Sequence, residues 1–290
     1  MEHLLHSFAR MINVPPVTRI RIIMIIALSI LTLTKVILPK HIYFIREKAF
    51  LQPWRLITCF CYINSFLIEV VLYLLSCVDV SGYVEEDFDM EWLIFSLDRT
   101  KNLDSTKQDR LRREISSHKS YDFLYYQALV GATVIALITL ADYMFGRSVY
   151  NMTLVFDHIL FYLWCNNNAN YRIDVFGLFS IRAEYLPWIQ ETLIWLFRKE
   201  AAQDVQRLMS GLPELIKLVF RREVFTSILV HFLVGHFWWF LRDFLLRQYY
   251  CEIEKHIGSI PVKHYKSSKL VALMVPPWYW FIFKQMGEER

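Results

Sequence analysis

Residues 162–188 read YLWCNNNANYRIDVFGLFSIRAEYLPW, and this stretch decides the architecture. It leaves an apolar run and breaks into Asn166-Asn167-Asn168-Ala169-Asn170. It then passes Tyr171-Arg172 and re-enters apolar sequence at Tyr185-Leu186-Pro187-Trp188. Consecutive Asn amides cannot continue a helix across hydrocarbon, because each would be desolvated at a cost of several kcal/mol. An apolar segment therefore surfaces here, turns and goes back in. The flanking aromatics Tyr162, Trp164, Tyr171, Tyr185 and Trp188 sit where an interfacial belt puts them.

The composition agrees with a membrane chain. Of 290 residues, 55% are hydrophobic and 16% aromatic, too apolar for a soluble domain of this size to keep a wet surface. A mean hydropathy of only +0.29 requires apolar spans to alternate with polar segments. The net charge of +4 is small and scattered, which argues against a nucleic-acid partner. Five cysteines (Cys59, Cys61, Cys77, Cys165, Cys251) show no metal-ligand spacing and read as buried free thiols.

Working outward from the hairpin, the sequence predicts six spans. Ile22 to Leu38 comes first, after Pro15-Pro16, with Thr18 as its cap and Arg19, Arg21 and Lys35 snorkelling at its ends. Pro39 to Pro53 suits an amphipathic element lying in the interface. Trp54-Arg55-Leu56-Ile57-Thr58 opens a second span reaching Val78, which carries Asn64 and Glu69. Residues 79–120, with an acidic cluster followed by mixed charge, read as a solvated insertion with a helical turn or two. Phe123 to Phe145 is the third span, and Gly146-Arg147-Ser148 a tight turn. Val149 to Cys165 is the fourth, bearing Asp157 and His158.

Tyr185 to Phe197 is a short fifth span with Gln190 and Glu191. A second insertion, 198–223, carries apolar residues on one helical face and reads as an amphipathic helix on the bilayer. Val224 to Leu246 is the sixth span, with His231, Gly235 and His236. The tail, 251–290, is basic and cytosolic, and its apolar stretch Leu270 to Phe283, split by Pro276-Pro277, reads as an interfacial segment. Lys and Arg are in excess on the N-terminal side of the alternating loops, which puts both termini in the cytosol.

Five groups of residues then resemble the Derlin family, the rhomboid-like pseudoproteases of endoplasmic-reticulum quality control. They are Val14 to Arg19 before the first span, Trp54 to Thr58, and Tyr121-Asp122-Phe123 with Gly131. The fourth is Tyr162-x-Trp164, Arg172, Phe176-Gly177-Leu178 and Leu186-Pro187-Trp188, and the fifth is Gly235-His236 with Phe240-Leu241 and Asp243. Four features depart from the pattern, the first two being the greater length of the loops between the second and third spans and between the fifth and sixth. His231-x-x-x-Gly235 stands where the family has Gly-x-x-x-Gly, and the tail lacks the Phe-x-Gly-x-Gly box that docks an extracting AAA ATPase.

The resemblance implies an all-α six-helix rhomboid-like bundle over residues 1–250, resident in the endoplasmic-reticulum membrane. It implies a non-enzymatic role in moving misfolded lumenal and membrane proteins to the cytosol for degradation. The expected partners are membrane lipids, misfolded substrates and a ubiquitin-ligase complex, with the ATPase recruited indirectly. Trp54 and Arg55 would anchor the first lumenal loop, while His231 and Gly235 would pack the last helix.

Met152 to Cys165 contains no Ser, so the nucleophile a rhomboid protease needs in its fourth span is missing. Asp157-His158 with His231 or His236 could hold a metal, but adjacent residues diverge by about 100° on a helix, and interhelical hydrogen bonds are the expectation. No metal and no cofactor are expected. A channel or transporter, suggested by the intramembrane Glu69, Asp157 and Glu191, stays open as an alternative, and an active intramembrane protease is a further one.

Overall fold

A computed structural model describes residues 13–49, 51–63, 67–95, 97, 100, 103–145, 152–175, 179–196, 222–246 and 268–288. The first long helix, α1 (Pro16–Leu33), starts with Pro16 at its first position, where the missing N–H is no loss. It buries Val17, Arg21, Ile25 and Ser29, one residue per turn along a single stripe. Its outward face is apolar, with Ile20 60% and Leu33 59% exposed. Polar residues inside and isoleucines outside invert the arrangement of a water-soluble helix and suit a helix bathed in lipid. α1 and the helix spanning Ser105–Tyr143 are, among the described residues, the two long and apolar enough to cross a membrane.

The connection to the second long helix is folded upon itself. A 3₁₀ turn (Pro39–His41), α2 (Arg46–Ala49) and α3 (Arg55–Thr58) follow one another. Arg55, 1% exposed, donates to the carbonyls of Lys40 (2.8 Å) and Tyr43 (2.6 Å) and to Gln52 Oε1 (2.5 Å). Trp54-Arg55 therefore does not open the second span as expected. It closes the preceding loop, and α4 (Leu67–Glu86) begins only after a break.

The expected insertion at 79–120 is largely helical. α4 runs on to Glu86, a short α5 (Glu91–Phe95) follows, and α6 (Ser105–Phe145) is one helix of 41 residues. Asp104 starts α6 by accepting the Ser105 N–H (2.9 Å) and the Thr106 hydroxyl (2.8 Å). These bonds hold its exposed carboxyl below its ordinary pKa. Leu111 and Ile115 extend the buried stripe of Phe123, Tyr126, Val130, Val134 and Ile138 back into the charged half. The charges Lys107, Asp109, Arg110, Arg112, Arg113, Glu114 and Lys119 all fall in its first half, so the continuously apolar part of α6 is 123–145, the stretch expected as the third span.

α7 (Met152–Asn167) is the hub, packed against α4 on one side and α9 (Arg222–Trp238) on the other. Nine of its sixteen residues are buried, as an apolar helix surrounded by others requires. Thr153 staples its start: the hydroxyl donates to the Tyr62 carbonyl (2.7 Å) and accepts the Tyr62 N–H (3.0 Å). The helix persists through Asn166 and Asn167, whose neighbours give it a polar end, before the chain turns. The loop is not purely irregular. β1 (Arg172–Val175) and β2 (Phe179–Arg182) pair antiparallel with Arg172 opposite Arg182, an element absent from the all-α expectation.

A 3₁₀ turn (Ala183–Tyr185) leads into α8 (Leu186–Leu196), close to the expected fifth span. α9 continues as a π-helix over Trp239–Leu246, near the expected sixth span. The tight turn at 146–148, the amphipathic helix at 198–221 and the basic stretch 251–267 lie outside the described residues.

The tail corrects another expectation. α10 (Ser268–Met274) and α11 (Trp278–Glu288) bury Val271, Met274, Tyr279 and Met286 within the main core. Tyr279 donates to Asp122 (2.6 Å), Trp278 Nε1 to the same carboxylate (3.0 Å), and Lys107 to the Met286 carbonyl (2.6 Å). The segment expected to lie on the bilayer is docked on α6.

Candidate functional site

Two polar clusters sit inside this largely apolar framework, and both centre on α7. Arg21 was expected to snorkel. Its place on the buried stripe of α1 turns it inward instead, where it is 6% exposed and 2.6 Å from Asp157. Tyr73 of α4 bridges them, accepting from Arg21 Nη2 (3.3 Å) and donating to Asp157. The guanidinium also lies 5.0 Å over the Phe156 ring. Desolvating two charges is costly, so each needs the other and the tyrosine.

Beginning at the very next residue of α7, the second cluster joins three helices. His158 Nδ1 on α7 lies 3.0 Å from Glu191 Oε1 on α8, and His231 Nε2 on α9 lies 3.1 Å from the same oxygen. Adjacent positions on α7 thus serve different partners, as the 100° divergence requires. Asp157 takes Arg21 while His158 takes Glu191. The His231 contact is close but poorly aligned, and among the described residues neither ring nitrogen of this buried side chain meets hydrogen-bond geometry.

Asp157, His158 and Gln190 line a groove of about 490 Å³ between α4, α7 and α8. Ser76 and Ser81 add hydroxyls, while Val80, Leu154, Phe161, Leu186 and Ile189 supply apolar walls. The groove thus sets polar groups among apolar walls.

The remaining predicted residues fall elsewhere. Gly235 is buried against Tyr162: a Cβ there would lie 2.9 Å from Tyr162 Cδ1. His236 points away from the His231 cluster, and its Nδ1 lies 3.0 Å from the Tyr162 hydroxyl. Trp54 is exposed and Arg55 buried, so the adjacent pair face opposite ways. Glu69 lies on α4, but its side chain, and Asn64 entirely, are outside the described residues. Cys59, Cys61, Cys77 and Cys165 are buried free thiols, as expected.

Glu85 was not singled out by the sequence. It is 2% exposed and caps α1 from the end of α4, accepting the N–H groups of Val17 (3.1 Å) and Thr18 (2.8 Å) and the Thr18 hydroxyl (2.9 Å). Thr18 is thus a donor in the cap, not its acceptor. The signal was the acid's place at the end of an apolar run, hidden among Glu86, Asp87 and Asp89.

A helical chain with lipid-type helices, these motifs and this hub is a membrane protein of the class the sequence resembled. Residues 14–213 match the Der1-like family, and the chain belongs to it. It is 24% identical over 204 residues to an uncharacterized derlin-like protein of Schizosaccharomyces pombe, a match covering 69% of this chain and 78% of that one. It is 24% identical over 202 residues to Derlin-1 of Arabidopsis thaliana, covering 69% of this chain and 64% of that one. Against the DER1-like family member protein 1 of Saccharomyces cerevisiae it is 24% identical, covering 65% of this chain and half of that one. The matches to the last two thus span less than two thirds of those proteins. His231, Gly235 and His236 lie beyond the family match.

Proposed function

We propose that this chain is a non-enzymatic component of endoplasmic-reticulum-associated degradation. It acts as a six-span rhomboid-like bundle with both termini in the cytosol. It binds misfolded lumenal or membrane proteins and eases their passage to the cytosol, where a ubiquitin-ligase complex and an indirectly recruited AAA ATPase take over. Membership of the Der1-like family supports the setting.

The observation that carries the mechanism is the groove of about 490 Å³ between α4, α7 and α8, with Asp157, His158, Gln190 and Ser76 among apolar walls. A partly unfolded segment entering it keeps hydrogen-bonding partners while its apolar side chains stay out of water. At 18 residues, α1 covers about 27 Å at 1.5 Å per residue, slightly less than a hydrocarbon core of about 30 Å. Lipid around a short span thins, at fractions of a kcal/mol per Å, which shortens the crossing.

The test is a cell-based chase of a misfolded lumenal substrate with Ser76→Trp, which fills the groove from an exposed position on α4. Slowed turnover with normal insertion is expected, and unchanged turnover overturns the groove assignment. Trp54→Ala belongs in the same assay, because Arg55 has a structural role in its loop and would confuse a double change. Tags at the two ends, read out by protease protection, must both lie on the cytosolic side.

A further inference from the structure

We propose that His158, Glu191 and His231 form a binding site for a zinc-class divalent cation, joining α7, α8 and α9. One His comes from each of two helices and the carboxylate from the third. Their nearest nitrogen and oxygen atoms all lie within 4.8 Å of one another. Glu191 Oε1 stands 3.0 Å from His158 Nδ1 and 3.1 Å from His231 Nε2. Ligands about 2.0–2.1 Å from a tetrahedral zinc stand roughly 3.3 Å apart, so both Glu–His edges are near that spacing. Only the His–His edge has to close, by about 1.5 Å at most, and the two rings meet edge-on at 5.2 Å between centroids.

A second observation points the same way. His231 is 2% exposed, and among the described residues its Nδ1 has no hydrogen-bond partner, while its Nε2 stands 3.1 Å from the Glu191 oxygen without hydrogen-bond alignment. A buried imidazole held only by a misaligned carboxylate is uncommon, and a metal between the two would satisfy both. Two imidazoles with one carboxylate suit zinc and its neighbours, whereas magnesium and calcium ask for oxygen donors throughout. Three protein ligands leave a fourth position for water or a polar group. His158 also lines the groove, so the site adjoins the surface assigned above to substrate.

The experiment is equilibrium dialysis of the full-length protein in detergent micelles against Zn²⁺ and Co²⁺, after alkylation of accessible thiols. One equivalent of Zn²⁺ is expected, with a Co²⁺ visible spectrum of a four-coordinate nitrogen–oxygen site. Glu191→Gln and His231→Asn should each weaken binding on the order of 10-fold or more. Zn²⁺ should raise the Tm of the parent protein and not that of Glu191→Gln, a variant that conserves volume. Should His231→Asn fail to fold, His158→Asn takes its place beside Glu191→Gln. Absence of bound metal in the parent overturns the proposal, as does equal affinity in the variants. Binding lost on alkylation would mean adventitious thiol coordination only, and overturns it equally.

Discussion

Arg21 and Asp157 meet at 2.6 Å between α1 and α7, with Tyr73 of α4 bonded to both. One ion pair and its tyrosine therefore tie α1 and α4 to the hub α7. Removing a single partner strands a buried charge. Arg21→Met should cost about 3–5 kcal/mol in unfolding from micelles, and Arg21→Met with Asp157→Leu should recover much of it. Thermal unfolding followed by circular dichroism checks both. A single change as mild as the double one would mean the pair is not desolvated.

Glu85 and the start of α1 give a second test. Replacing this carboxylate by Ala leaves two backbone N–H groups and the Thr18 hydroxyl without their acceptor. A loss of about 1–2 kcal/mol is expected, with faster hydrogen exchange confined to the first turn of α1. Exchange measured by mass spectrometry reports on that turn directly.

Gly235 has no room for a side chain. Tyr162 is held in place by the His236 contact at 3.0 Å and by an edge-on Phe232 at 5.6 Å, so its ring cannot give way cheaply. Gly235→Ala should cost about 1–3 kcal/mol, and Gly235→Leu more. In a Tyr162→Leu background the penalty of Gly235→Ala should shrink, since the obstructing ring is gone.

The docked tail should respond to pH. Burial pushes Asp122 up to about 6 from an ordinary 3.8, despite the two hydrogen bonds from Tyr279 and Trp278 that oppose the shift. A raised acid favours the docked form fully below about 3.8. The advantage drains away as pH climbs to about 6 and is flat above it. Docking of α10 and α11 should be tighter at pH 5 than at pH 7 by about 1 kcal/mol. Hydrogen exchange of residues 268–288 at the two pH values measures this, and Asp122→Asn should abolish the difference.

Much of the helix placement was legible because apolar runs and their interruptions follow from the cost of burying polar groups. Leu186 to Leu196 and the last long helix fell near their expected limits for that reason. The position of Arg21 near a helix end suggests snorkelling, and the structure turns it inward instead. The one-per-turn stripe Val17, Arg21, Ile25, Ser29 already put it on the packed face. The charges around Arg112 hid the continuation of the α6 stripe through Leu111 and Ile115. The meeting of His158 with Glu191 and His231 depends on how three helices rotate about their axes. Nothing local to any one of them encodes that.

The length of α6 has a mechanical meaning. Forty-one residues make a rod of about 62 Å, roughly twice a hydrocarbon core, and α10 and α11 are fastened along it from Lys107 to Tyr125. A pull on that C-terminal segment is not absorbed by a hinge. It arrives inside the bundle as tilt or translation of a helix that touches the hub's neighbours, so a load outside the membrane can reshape what lies within it.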